Sequence, residues 1–308
     1  MNSKTIVSLV AITTLLSAAT ASAREYPIEK SFAVSPGGIL KIDSNVASAE
    51  IVTGDSKNVE VRLERNRNDR YQRQTDELLE QLQLEMVEAN NTVRLVARVP
   101  DDRKREMNSI PLAFRITIPR KFNVDARTLG STSLGDLDGT ANVSTAGGGL
   151  KLGDISGRVV AKSAGGGITI GDGGADLDAT SAGGSLKIGK VAGRVMANAA
   201  GGSVSIDEAG ELVEAIATGG SIKAIVSKPP RADAQITATG GSIDLQLADS
   251  SAARVDAACV GGRIRSDFAI GSGDDSDATR LKGEIGRGGP ALALRATGGS
   301  INLRKATR

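Results

Sequence analysis

Beyond residue 140 the chain alternates apolar or small residues with polar ones in two short runs, and this two-run unit repeats. The first run carries Ala141, Val143 and Thr145; Val159, Ala161 and Ser163; Leu177, Ala179 and Ser181; Val195, Ala197 and Ala199; and Val213, Ala215 and Ala217. The second carries Leu150 and Leu152; Ile168 and Ile170; Leu186 and Ile188; Val204 and Ile206; and Ile222 and Ala224. Successive side chains leave opposite faces of an extended chain, so a period of two predicts strands with these residues turned inward. Each unit holds at least two short strands.

A Gly-Gly pair separates the runs, starting at Gly147, Gly165, Gly183, Gly201 and Gly219, with a constant spacing. A short fixed period marks a solenoid, in which each repeat buries its apolar face only against its neighbours. The predicted fold is therefore an all-β β-solenoid, or β-helix, with coils of about 18 residues. Gly suits a corner that needs positive φ or backbone packed on backbone. Gly157, Ala175 and Gly193 mark a second corner. The inward Ala, Ser and Thr residues imply walls lying close together over a thin core.

The period loosens towards the C-terminus. Pairs at Gly240 and Gly261 each follow the previous one at a slightly wider spacing, with Ala234, Ile236, Ala238 and Val255, Ala257, Cys259 keeping the inward pattern. Gly298-Gly299 comes after a longer gap, which leaves room for two coils or for one coil and a loop. The polar stretch from Gly271 to Asp277 is predicted as a loop. Leu292, Leu294, Ala296, Ile301 and Leu303 then restore the strands, so residues 129–308 are expected to form one continuous solenoid.

Residues 24–128 read as a β-rich capping region. Gly37 to Ile42 already resembles the repeat, and strands are expected near 48–52 and 58–65. Thr75 and Asp76 stand as N-terminal caps of a short helix over Asp76 to Leu82, while the alternation of Leu82, Leu84 and Met86 equally suits the start of a strand. Asn90-Asn91, ahead of Val93 to Val99, predicts a hairpin turn. A helix and a hairpin would cover the first coil, as solenoid ends require.

Residues 1–23 read as a signal peptide: Lys4, an apolar stretch from Ile6 to Leu16, and the small-residue pattern Ala21-Ser22-Ala23. The stretch is too short to span a bilayer. Cleavage after Ala23 is expected to leave a periplasmic or secreted product that does not span a membrane.

The chain has no His, no Trp and a single Cys, Cys259. That removes the commonest metal ligand and physiological-pH base, any Ser-His-Asp or Cys-His catalyst, and any internal disulfide. No cofactor is implied. Cys259 falls in the column that holds Thr145, Ser163 and Ser181, and reads as a small core residue. Asp136, Asp154 and Asp172 each follow a Gly but do not fit the calcium-binding nonapeptide pattern, so they read as corner carboxylates. Four Phe and two Tyr in 308 residues leave few stacking platforms for sugars. Arginines 62, 65, 67, 70 and 73 alternate with acids in a chain of net charge +2, which argues against nucleic acid.

Gly37-Gly38-Ile39-Leu40-Lys41-Ile42, Ile116-Thr117-Ile118-Pro119 with Val124, the Gly-Gly-Ser-Leu-Lys-Ile units, and the closing stretches from Ile285 to Gly289 and from Ala296 to Ile301 resemble the bacterial putative-adhesin β-strand-repeat family. That resemblance covers essentially the whole chain after residue 23, and the family is a domain family of unknown function. It implies a β-solenoid and supplies no catalytic motif. The expected function is that of a non-enzymatic binding or structural protein of the bacterial envelope. The rival reading is a hydrolase or lyase acting on envelope polysaccharide from a β-helix scaffold. For a binding protein, the partner is an envelope protein or an anionic glycan. Candidate ligand-binding residues are Lys151, Lys187 and Lys223, which share one outward column with Thr169 and Ser205 between them. Stacking spaces neighbours in such a column by about 5 Å.

Overall fold

The computed structural model describes residues 26–65, 76–77, 79–100, 112–272 and 278–306. Its strands all belong to a single hydrogen-bonded sheet wound into coils.

The first wall is a parallel ladder in which Ala141 pairs with Val159, Val159 with Leu177 and Leu177 with Val195. In the second wall Leu150 pairs with Ile168, and the ladder continues through Leu186, Val204, Ile222 and Ile243. A third side is made by single bridges, Leu137 to Ile155, Ile155 to Gly173 and Gly173 to Val191, extended by Ala209 and Val226. Leu137, Ile155, Val191, Ala209 and Val226 are buried there. This inward column lies outside the two predicted runs, because a bridge of one residue leaves no alternation to recognise.

The expected inward residues are buried with one exception. Arg194 pairs with Glu211 and Val195 with Leu212, one position short of the regular step, before Met196 with Glu214 restores it. This coil turns its corner with one residue fewer, and a bulge at Val213 makes up the difference. Leu212 thus fills the core position expected of Val213, which is only partly buried.

At the corners the glycines are required by contact. A Cβ on Gly165 would lie 2.5 Å from the carbonyl oxygen of Gly147, and one on Gly183 would lie 2.3 Å from that of Gly165. In these regular coils backbone stacks on backbone, and positive φ appears only at looser corners such as Gly261 and Gly298. Buried hydroxyls stitch the corners together. Ser163 Oγ donates to the Gly148 carbonyl at 2.8 Å and accepts the Gly166 N–H at 3.0 Å, and Ser181 repeats the arrangement on Gly166 and Gly184. These contacts satisfy backbone groups that a dry corner would leave unpaired. Cys259 is buried and free, beside Ala296.

At both ends the stacking order departs from the chain order. Near the N-terminus Ile39–Ser44 lies between Thr92–Arg98 and Asn123–Thr128, and Ala47–Gly54 lies between Leu112–Pro119 and Thr132–Leu134. Near the C-terminus Ala291–Thr297 lies between Ala234–Ala238 and Ala253–Val260, while Ile301–Lys305 lies between Ile243–Leu247 and Ile264–Ser266. Each end has one coil inserted between two others, and one cluster of buried residues extends from Leu40 to Leu303. The coils therefore begin before residue 129.

Antiparallel strands lie outside the end coils. Gln83–Ala89 pairs with Thr92–Arg98 through a turn at Asn90 and Asn91, whose φ angles of 52° and 58° suit a hairpin. Asn58–Arg65 pairs with Leu112–Pro119, and Ile28–Ala33 with Asn58–Arg65. At the far end Arg280–Ile285 lies along Ala253–Val260 and is flanked by Ile270–Ser272. Gly271 and Ser272, expected in a loop, close that last strand; residues 273–277 lie outside the described residues. Asp76, Glu77, Leu79 and Glu80 are helical, while Thr75 and Leu78 of the expected helix also lie outside.

A candidate ligand-binding wall

The second wall presents one outward residue per short strand. Its register runs Ser133, Lys151, Thr169, Lys187, Ser205, Lys223 across successive coils. All three lysines are exposed. Strand spacing places consecutive lysines about 10 Å apart, with a hydroxyl between each pair.

The carboxylates of the same coils are occupied elsewhere. Asp136 accepts the backbone N–H of Asp154 at 2.9 Å, Asp154 that of Asp172 at 2.8 Å, and Asp172 that of Lys190 at 2.8 Å. They form a corner ladder that holds coil to coil. At the other corner Arg158, Asp176, Arg194 and Glu211 alternate in sign. Asp176 accepts the Arg194 guanidinium at 2.8 Å, and this hydrogen bond holds its carboxyl below the ordinary value while raising Arg194. The fold thus neutralises cations at one corner, yet leaves the lysine column without an ion pair among the described residues.

Acids bound the column at both ends. Ser133 is followed by Glu50, then Arg115, Arg62 and Glu29. Arg115 donates to Glu64 at 2.8 Å and to Glu50 at 2.7 Å, and Arg62 bonds Glu64 and Glu29. The Arg115 and Arg62 contacts hold Glu64 below the usual carboxylate range. Beyond Lys223 come Asp244, Asn302 and Arg265. A groove of about 480 Å³ crosses the start of the wall, lined by Glu50, Arg115, Ser131, Ser133 and Lys151.

A second polar column runs two residues before Lys187, Ser205 and Lys223, where Gly149 and Gly167 stand in the coils of Lys151 and Thr169. Ser185 Oγ accepts the Ser203 N–H, Ser203 that of Ser221, Ser221 that of Ser242 and Ser242 that of Ser300, at 3.0–3.1 Å. An accepting hydroxyl keeps its own proton to donate. Residues 39–304 match the family model described as Toastrack DUF4097. The chain belongs to this family.

No curated protein matches this Toastrack chain. It is similar to solved structures over nearly its whole length. A putative lipid binding protein from Parabacteroides distasonis is 14% identical with a TM-score of 0.38, covering 91% of this chain and 97% of that one. A putative adhesin from Bacteroides fragilis is 12% identical with a TM-score of 0.32, covering 92% and 99%. A putative cell adhesion protein from Clostridium sporogenes is 12% identical with a TM-score of 0.25, covering 91% and 100%.

Among the described residues of the Toastrack chain, no three acidic or thiol groups come together as a metal site, and no helix is long and apolar enough to cross a membrane. The lysine and hydroxyl column stands in the register that the repeat implies. Two features of the wall went unrecognised in the sequence. The serine column was visible as Ser185, Ser203 and Ser221, which recur at the same step as the glycine pairs. The Arg115 and Glu50 boundary had no sequence signal, since it depends on the inserted coil.

Proposed function

We propose that the mature protein is a non-enzymatic extracytoplasmic binding protein of the bacterial envelope, and that it holds an anionic envelope glycan along its second wall. The observation that carries this reading is the column Lys151, Thr169, Lys187, Ser205, Lys223, exposed, in register and without carboxylate partners of its own. The column contributes three positive charges in a chain whose net charge is only +2. A face that served only solubility would gain from the alternating signs that this fold builds along Arg158, Asp176, Arg194 and Glu211. Aligned cations attract a polyanion and steer its approach. The antiparallel strands outside the end coils serve as caps.

Export follows from residues 1–23, with cleavage after Ala23, and N-terminal sequencing of the product from its native envelope tests this. Binding of anionic envelope glycans at low and at physiological salt tests the wall. The triple variant K151Q/K187Q/K223Q is expected to lose that binding with the fold intact; unchanged binding removes the wall from the mechanism. Turnover of any envelope polysaccharide by the purified protein overturns the non-enzymatic reading.

A further inference from the structure

The lysine column does more than attract negative charge: its spacing and its length select a shape of ligand. We infer that the ligand is a linear polyanion lying parallel to the solenoid axis, its anions in register with every second coil. This rests on the reading of the wall as a glycan-binding face.

Two features of the column and two general properties of exposed charges lead there. The three lysines occupy alternate coils, so a straight line through them runs along the stacking direction and across the strands. The backbone positions of consecutive lysines are about 10 Å apart, so with their stems extended outward their ammonium groups match anions repeated at about that interval. The Debye length at physiological salt is about 8 Å, so each lysine meets its own counter-charge nearly independently of the next. An exposed lysine holds one anion weakly, and useful affinity requires a chain that engages several in turn.

The residues between the lysines fit the same ligand. Thr169 and Ser205 place hydroxyls opposite the uncharged stretch between two anions. The Ser185, Ser203 and Ser221 hydroxyls, each accepting a backbone N–H, present their protons alongside as donors. A sugar backbone offers acceptors at such intervals. The run is also finite: Glu50 ends it on one side and Asp244 on the other. The span from Lys151 to Lys223 is about 19 Å, and a chain longer than that meets Glu50 or Asp244 before any further cation; the next ones beyond Glu50, Arg115 and Arg62, are already paired with Glu50, Glu64 and Glu29.

Hyaluronan oligosaccharides serve as the probe, because they are linear and carry one carboxylate per disaccharide. Affinity for the intact mature protein at low salt is measured from the disaccharide to the decasaccharide. The hexasaccharide, which presents three carboxylates, is expected to bind at least about tenfold more tightly than the disaccharide, and longer chains to add less than about twofold. The double variant T169K/K187Q keeps the net charge but breaks the two-coil spacing, and it is expected to lose most of the gain at the hexasaccharide. A flat length series, a gain that continues undiminished to the decasaccharide, or full binding by T169K/K187Q overturns the alignment. If neither long hyaluronan nor native envelope glycan binds at low salt, the glycan reading itself falls with it.

Discussion

The carboxylate of Asp154 accepts the backbone N–H of Asp172, one coil further along, at 2.8 Å. The contact is possible because Gly171 precedes Asp172: a Cβ on Gly171 would lie 2.3 Å from the same Asp154 oxygen. Gly153 makes the same room for Asp136, and Gly189 for Asp172. The repeated Gly-Asp dipeptide is thus one device, in which the Gly of each coil makes space for the Asp of the coil before it. Asp154→Ala is expected to cost about 0.5–1.5 kcal/mol in urea unfolding, and Asp154→Asn, which keeps the acceptor, clearly less. Equal losses for the two variants would assign the effect to something other than this hydrogen bond.

Corner glycines should differ sharply according to what stands over them. In Gly165→Ala the new methyl meets the carbonyl of Gly147 at 2.5 Å, a backbone atom that cannot swing aside, and about 1–3 kcal/mol should be lost. Gly54→Ala places a methyl in open space with no positive φ to forbid it, and stability should stay within about 0.5 kcal/mol of the parent. Thermal unfolding of the pair checks this, and indistinguishable midpoints would show that the stacked corner has room to yield.

The coils were legible in the sequence because a solenoid writes its geometry locally. Residues one period apart are stacked neighbours, so Leu150, Ile168 and Leu186 declare one column without any knowledge of the rest of the fold. The lysine column followed from the same arithmetic. The strands of the end coils were legible but their stacking order was not, since Ile39–Ser44 finds its partners far along the chain in Thr92–Arg98 and Asn123–Thr128, and no period marks that pairing. Val213 shows the same limit on a smaller scale. Its apolar side chain fits the expected inward position, and only the pairing of Arg194 with Glu211 reveals that Leu212 takes that place.

Acid should weaken the fold through two ion pairs in particular. Glu64, held by Arg115 and Arg62, and Asp176, held by Arg194, both have carboxyls below their ordinary values of 4.5 and 3.8. A carboxylate with a depressed folded value contributes stability above its unfolded value and loses it as pH falls through the folded one. For these groups stability should therefore be level from neutral pH down to about 4.5 and decline below it. Both pairs are partly exposed, so the decline is modest and flattens further in high salt. Urea midpoints measured against pH check this: Asp176→Asn should show a shallower acid decline than the parent, and parallel curves would remove Asp176 from the account.

Removing the last coil should do more than shorten the stack. In a solenoid stacked in chain order, deleting the final repeat exposes the preceding one and leaves every other contact in place. Here Ala291–Thr297 and Ile301–Lys305 stand between two other coils, with Leu292 and Leu294 opposite Ala234 and Ile236 on one side and Val255 and Ala257 on the other. Without them Ala253–Val260 has no parallel neighbour, and Ala234–Ala238 and Ile243–Leu247 present open edges that invite pairing with other chains. A chain ending at residue 290 is expected to release residues 253–285 to proteolysis while the coils up to residue 226 stay protected, and to associate through the freed edge. The full-length chain under the same protease is the reference. If residues 253–285 were as resistant in the truncated chain as in the full one, the inserted coil would not be what holds that end together.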